Sequence, residues 1–129
     1  MVKISGVFLA SGPEFSPRSV ERQTGILFSQ QNEPGDIGTT GRYRGEPRPY
    51  GSCTLLGPNP GLDLQVPDPR FFEAVERLAG ACRAAGATTV VIQLGVAYAE
   101  QCNFEMSEEL LSAVARAGVA LTISCYPEE

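Results

Sequence analysis

Fifteen carboxylates, four cysteines and a run of arginines interleaved with tyrosines are the groups with which this chain could do chemistry. Histidine is absent, and Lys3 is the sole lysine. Without imidazole there is no Ser-His-Asp triad, no Cys-His dyad and no His-ligated zinc. A phosphate-cradling loop of the Walker type needs a lysine after its last glycine, and Lys3 does not stand there. Gly35, Gly38 and Gly41 are spaced by three, but no strand leads into them and no helix follows, so the dinucleotide fingerprint is not met. Cys53, Cys82, Cys102 and Cys125 form no short-spaced pair. That spacing argues against zinc and, in a reducing compartment, for small apolar core residues.

Two sets of groups survive this sieve. Glu100 and Glu105 flank a chain reversal, with Glu108 and Glu109 just beyond. Such carboxylates could form an acid–base pair or hold a hard cation; the plainer reading is a solvated acidic rim. Arg42, Arg44 and Arg48 alternate with Tyr43 and Tyr50, an arrangement that can hold phosphate or stack on bases. The plainer reading pairs them with Glu46 or docks the loop on the domain.

The charge is unevenly laid out. Residues 1–50 hold six bases and five acids, and residues 51–129 hold four bases and ten acids. A chain of net charge −5 should repel nucleic acid and anionic membrane. Eight acids lie between Asp63 and Glu109, against Arg70, Arg77 and Arg83. Asp63, Asp68, Glu100, Glu105, Glu108 and Glu109 are the least compensated. The segment beginning at Met1 alternates like a strand and does not read as a leader peptide. No run nears the roughly 18 apolar residues that span a bilayer. A cytoplasmic protein is expected.

At 129 residues the chain should form one domain, able to bury a core without metal or disulfide. Val2–Ala10 alternates as a strand, with Val2, Ile4, Phe8 and Ala10 on one face. Ser16-Pro17 caps and opens a short helix that Gly25 closes. Ile26–Phe28 reads as a short strand. Residues 29–67 hold seven Gly and six Pro, too many for a helix or a central strand. That stretch should be a long loop with strand pieces at Tyr43–Glu46 and Ser52–Leu56. Asp68-Pro69 opens the clearest helix, with Phe71, Phe72, Val75, Leu78 and Cys82 inward and an i,i+4 pair Glu73–Arg77 outward. Gly86 ends it. Thr88–Val96 is a β-branched strand, and Tyr98–Phe104 either continues it or turns back. Ser107 caps a last helix with Glu108 and Glu109 in its first turn, where the helix dipole favours them. After Gly118, Val119–Tyr126 is a strand with Leu121, Ile123 and Cys125 on one face. The expected architecture is α+β: a mostly antiparallel sheet with about three helices on one face.

Three segments carry a family resemblance: Thr24-Gly25-Ile26-Leu27 after the first helix, Arg44-Gly45-Glu46 with Arg48 in the loop, and the tail. The tail runs Met106-Ser107-Glu108-Glu109-Leu110-Leu111, then Ala117-Gly118-Val119, then Leu121-Thr122-Ile123-Ser124-Cys125-Tyr126. Together they resemble the bacterial family catalogued as domain of unknown function 4279. Small acidic members of such families look like immunity proteins, which neutralise a cognate toxin by binding it. The resemblance implies no catalytic residues, no metal, no cofactor and a toxin partner with a basic surface. The partner face is then expected at Asp63, Glu100, Glu105, Glu108 and Glu109, with Phe104 as an exposed aromatic anchor. Arg44, Gly45 and Glu46 are expected to anchor the loop. The alternative is a small enzyme or a metabolite- or phosphate-binding domain that uses the loop arginines with a carboxylate pair.

Overall fold

The computed structural model describes residues 2–128. Five strands and three helices follow in the order β1 (Val2–Gly12), α1 (Pro17–Thr24), β2 (Gln30–Asn32), β3 (Gly51–Leu56), α2 (Pro69–Ala84), β4 (Thr89–Tyr98), α3 (Glu108–Ala117) and β5 (Ala120–Pro127). The strands form one sheet in the order β2-β3-β1-β4-β5. Three of its four ladders are antiparallel, and β4–β5 alone is parallel. The helices pack on one face, so the fold is a single α+β layer pair.

Local chemistry sets the helix ends. Ser16 Oγ accepts from Ser19 N, Asp68 from Arg70 N and Phe71 N, and Ser107 Oγ from Leu110 N. Pro17 and Pro69 take the first helical position. Gly25 and Gly118 close α1 and α3 with left-handed backbones, φ 74° and 71°. Strand alternation sets the core. Phe8 and Ala10 of β1, Cys53 of β3, and Val90, Ile92, Leu94 and Val96 of β4 are buried beneath the helices. All of these but Val96 cluster with Val20 of α1, Phe71, Phe72, Val75 and Leu78 of α2, and Leu110 and Val114 of α3.

Several segments differ from their sequence reading. Ile26–Phe28 is not a strand: side chains take its amides, Thr24 Oγ1 accepting from Ile26 N and Glu21 Oε2 from Phe28 N. The ladder forms four residues later, at β2. Tyr43–Glu46 is a turn, because a 3₁₀ turn at Gly41–Tyr43 runs into Gly45 at φ 77°. β4 ends at Tyr98, and residues 99–106 are irregular. Glu73 and Arg77 form no ion pair, because Arg77 Nη2 donates to Thr24 O at 3.1 Å and so braces α2 against α1. β5 is an edge strand, which leaves Cys125 exposed instead of buried.

Candidate functional site

Five of the singled-out carboxylates, Asp63, Glu100, Glu105, Glu108 and Glu109, are exposed. A backbone stitch draws four of them together. Leu62 and Leu64 are buried and pin the 62–66 segment, while Asp63 between them faces solvent. Asp63 Oδ1 accepts from Gln65 N at 2.8 Å and Val66 N at 3.3 Å, closing a turn. Gln65 Nε2 donates to Glu105 O at 2.7 Å. Ser107 N donates to Leu64 O at 3.0 Å, and Ser107 Oγ donates to Gln65 O at 2.7 Å. Hydrogen bonds therefore join the turn at Asp63, the irregular segment at Glu105 and the first turn of α3. Glu100 lies near the start of the same irregular segment, two residues after β4 ends.

Among the described residues the one ion pair is Lys3–Glu128 at 3.0 Å, so no arginine neutralises this acidic end. Phe104 is not the exposed aromatic anchor: it is half-buried and packs on the core together with Met106. The apolar side chains exposed here are Val66 and Leu111, at 62% and 49%. Val66 did not stand out in the sequence, and Leu111, which helical spacing groups with Leu110, Val114 and Ala117 on the inward stripe of the last helix, turns outward instead. The available signal was the alternation Leu62-Asp63-Leu64-Gln65-Val66 inside a Pro/Gly-rich stretch.

The loop between β2 and β3 is ordered by its own backbone. Gly38 N donates to Glu46 O, Gly45 N to Gly38 O, Gly35 N to Arg48 O and Arg48 N to Asp36 O, all at 2.7–2.9 Å. Asn32 Nδ2 donates to Tyr50 O at 2.8 Å and Ser16 Oγ to Glu33 Oε1 at 2.6 Å, tying the loop to β2 and α1. Arg44 and Glu46 are exposed and make no side-chain hydrogen bond or ion pair among the described residues. Their expected anchoring role thus passes to Asn32, Ser16 and Glu33. Gly45 does supply the left-handed backbone the turn needs. Arg42 lies 5.5 Å from the Tyr43 ring centre, and Tyr43 meets Tyr50 edge to face at 5.9 Å. Arg48 lines a polar cleft of about 520 Å³ with Asp36, Thr39, Thr40, Ser52 and Thr54. Most of the length of β1, about 25 Å, separates this loop from the acidic end. The loop arginines and the Glu100–Glu105 pair therefore stand at opposite ends of β1.

No family model, curated protein or solved structure matches the chain. Among the described residues no three His, Cys, Asp or Glu side chains converge to hold a metal ion. No described helix is long and apolar enough to cross a membrane. The cysteines lie in two neighbouring pairs, Cys53 with Cys82 and Cys102 with Cys125. The Cys82 sulfur and burial hold the Cys53 thiol far above the usual range. Contact with Cys125 raises Cys102, which is half-buried.

Proposed function

We propose that this chain is a protein-binding inhibitor of the immunity type, whose acidic end docks into the basic cleft of a toxin domain. The observation that carries the reading is the stitched end itself. Asp63, Glu105, Glu108 and Glu109 stand exposed, without an ion pair among the described residues, on segments joined through Ser107 and Gln65. A rigid, uncompensated acidic surface speeds encounter with a basic partner and loses little entropy on docking. Val66 and Leu111 supply the apolar contact that the sequence reading gave to Phe104. The resemblance of the loop and tail to the domain of unknown function 4279 family supports the same role, in the cytoplasm of the producing cell.

The test is capture of the toxin domain encoded beside this gene, with association followed at two salt concentrations. Wild-type association should slow as salt rises, and Glu100→Lys with Glu105→Lys should slow it further while the fold is kept. A rate indifferent to salt and to both substitutions would reject this face.

The Arg48 cleft favours a second reading, a site for a small polar anion. Inorganic phosphate titrated against the labelled protein should then shift the amide signals of Thr39, Thr40 and Arg48. Unmoved signals would reject it.

A further inference from the structure

The face of the sheet away from the helices carries no helix; the 33–50 loop overhangs only its β2–β3 corner, where Asp36, Thr39, Thr40 and Arg48 share a cleft with Asn32, Ser52 and Thr54, and the register names the members of the face. Val7 stands between Leu56 and Gln93, with Thr122 beyond. Leu9 stands between Thr54 and Val91, with Ala120 beyond. Ser11 lies beside Ser52, and Ser5 beside Gly95 and then Ser124. Gln30 and Asn32 of β2 extend the face at one edge, and Tyr126 of β5 lies against Gly95 at the other. Lys3 is the one charged side chain on these strands' outer face, and Glu128 neutralises it.

A five-stranded surface without net charge stands out on a chain of net charge −5. Leu56 and Tyr126 are 63% and 48% exposed on it, and Val7, Leu9 and Val91 are only half-buried. Outside that corner about four strands, roughly 4.8 Å apart and some 25 Å long, give about 500 Å² per copy. Two such faces pressed together bury about 1,000 Å², the lower bound for a specific interface.

We propose that this face pairs with the same face of a second copy, forming a two-fold sandwich of two sheets with the helices outside. Charge selects this occupant. Two copies of an acidic chain repel through most of their surface, and this face lets them meet without bringing like charges together. The inner rows would place Val7, Leu9, Leu56 and Val91 at the centre and Ser, Thr and Gln side chains around them, the apolar-core and polar-rim order of protein interfaces. The pairing leaves the acidic end free, so it stands independently of the inhibitor reading.

Sedimentation of the whole chain from about 5 to 500 µM, at low and high salt, tests it. The mass should rise to twice the 13.8 kDa of one chain. Pairing should tighten with salt, because screening relieves repulsion between two acidic copies. Gln93→Glu puts like charges opposite each other and should weaken pairing about a hundredfold or more. Leu56→Glu should do the same at a position already 63% exposed, where folding is not at risk. Ser112→Glu on the outer face of α3 should leave pairing intact. A monomer at every concentration would overturn the proposal. So would a dimer that survives both face substitutions, or one that weakens with salt, since that points to the acidic end meeting the arginine loop. Toxin capture moves with salt in the opposite direction and responds to Glu100 and Glu105, so the two readings fail separately.

Discussion

Replacing Ser107 with alanine removes two contacts of one oxygen. Ser107 Oγ accepts from Leu110 N at 3.1 Å and donates to Gln65 O at 2.7 Å. Loss of a helix N-cap costs about 1 kcal/mol. The bond to Gln65 lies at the surface, where water replaces the hydroxyl, and its loss adds about 0.5 kcal/mol. For a chain of this length, roughly 1.5 kcal/mol lowers the melting temperature by about 5 °C. Circular dichroism melts would read that shift, and hydrogen exchange at Gln65 and Val66 would read the loosened turn. Ser107→Asp separates the two contacts. Its carboxylate caps α3 as well as serine does, yet cannot donate to Gln65 O. Melting should recover most of the loss while exchange at Gln65 and Val66 stays fast. An alanine variant melting within about 1 °C of wild type would refute the assignment of Ser107 as the fastening point. An aspartate variant as unstable as alanine would refute the division of labour.

Gly51→Ala should be severe, because a Cβ there would run into the Phe15 carbonyl oxygen; a loss of about 3 kcal/mol or more, or failure to fold, is expected in urea titration. Glu21 is held below the ordinary glutamate range by the Gln31 amide and the Phe28 N–H. Its contribution is therefore complete above about pH 4.3 and drains as pH falls through the lower folded value. Glu21→Gln should flatten the acid limb of stability against pH, and an unchanged limb would deny the contact. An aromatic disulfide reagent should titrate Cys102 and Cys125 in the folded protein and Cys53 and Cys82 only after unfolding, as their exposures require; four fast thiols would contradict the burial of the inner pair.

The helices were legible in the sequence because their ends are local chemistry. Ser16-Pro17, Asp68-Pro69 and Ser107 cap within three residues, and Gly25, Gly86 and Gly118 terminate by backbone geometry alone. Strands β1, β3 and β4 were legible from alternation. The arginine loop was not, because its order comes from amides and carbonyls of Gly35, Gly38 and Gly45, which have no side chains to form a pattern. The position of β5 was hidden for another reason. Leu121, Ile123 and Cys125 alternate as a buried strand does, and only sheet order reveals an edge. At the site, the acids were found by charge counting, but Phe104 was misread because isolated aromatics do not announce which way they face. The stitch through Gln65 and Ser107 joins residues 42 apart in sequence, which no local pattern encodes.

The sheet order also governs how the chain can assemble as it is made. β1 is synthesised before the other four strands of the sheet and sits in its middle, and its β4 partners lie 78 to 96 positions downstream. At roughly 5–20 residues per second, a ribosome leaves one side of an eleven-residue strand without its ladder for several seconds. β3 arrives earlier and closes the other side. Nascent chains stalled before Thr89 therefore carry the longest strand of the molecule with a raw edge, a template for mispairing between neighbouring ribosomes on one message. Chains released before β4 emerges should therefore be the ones that aggregate.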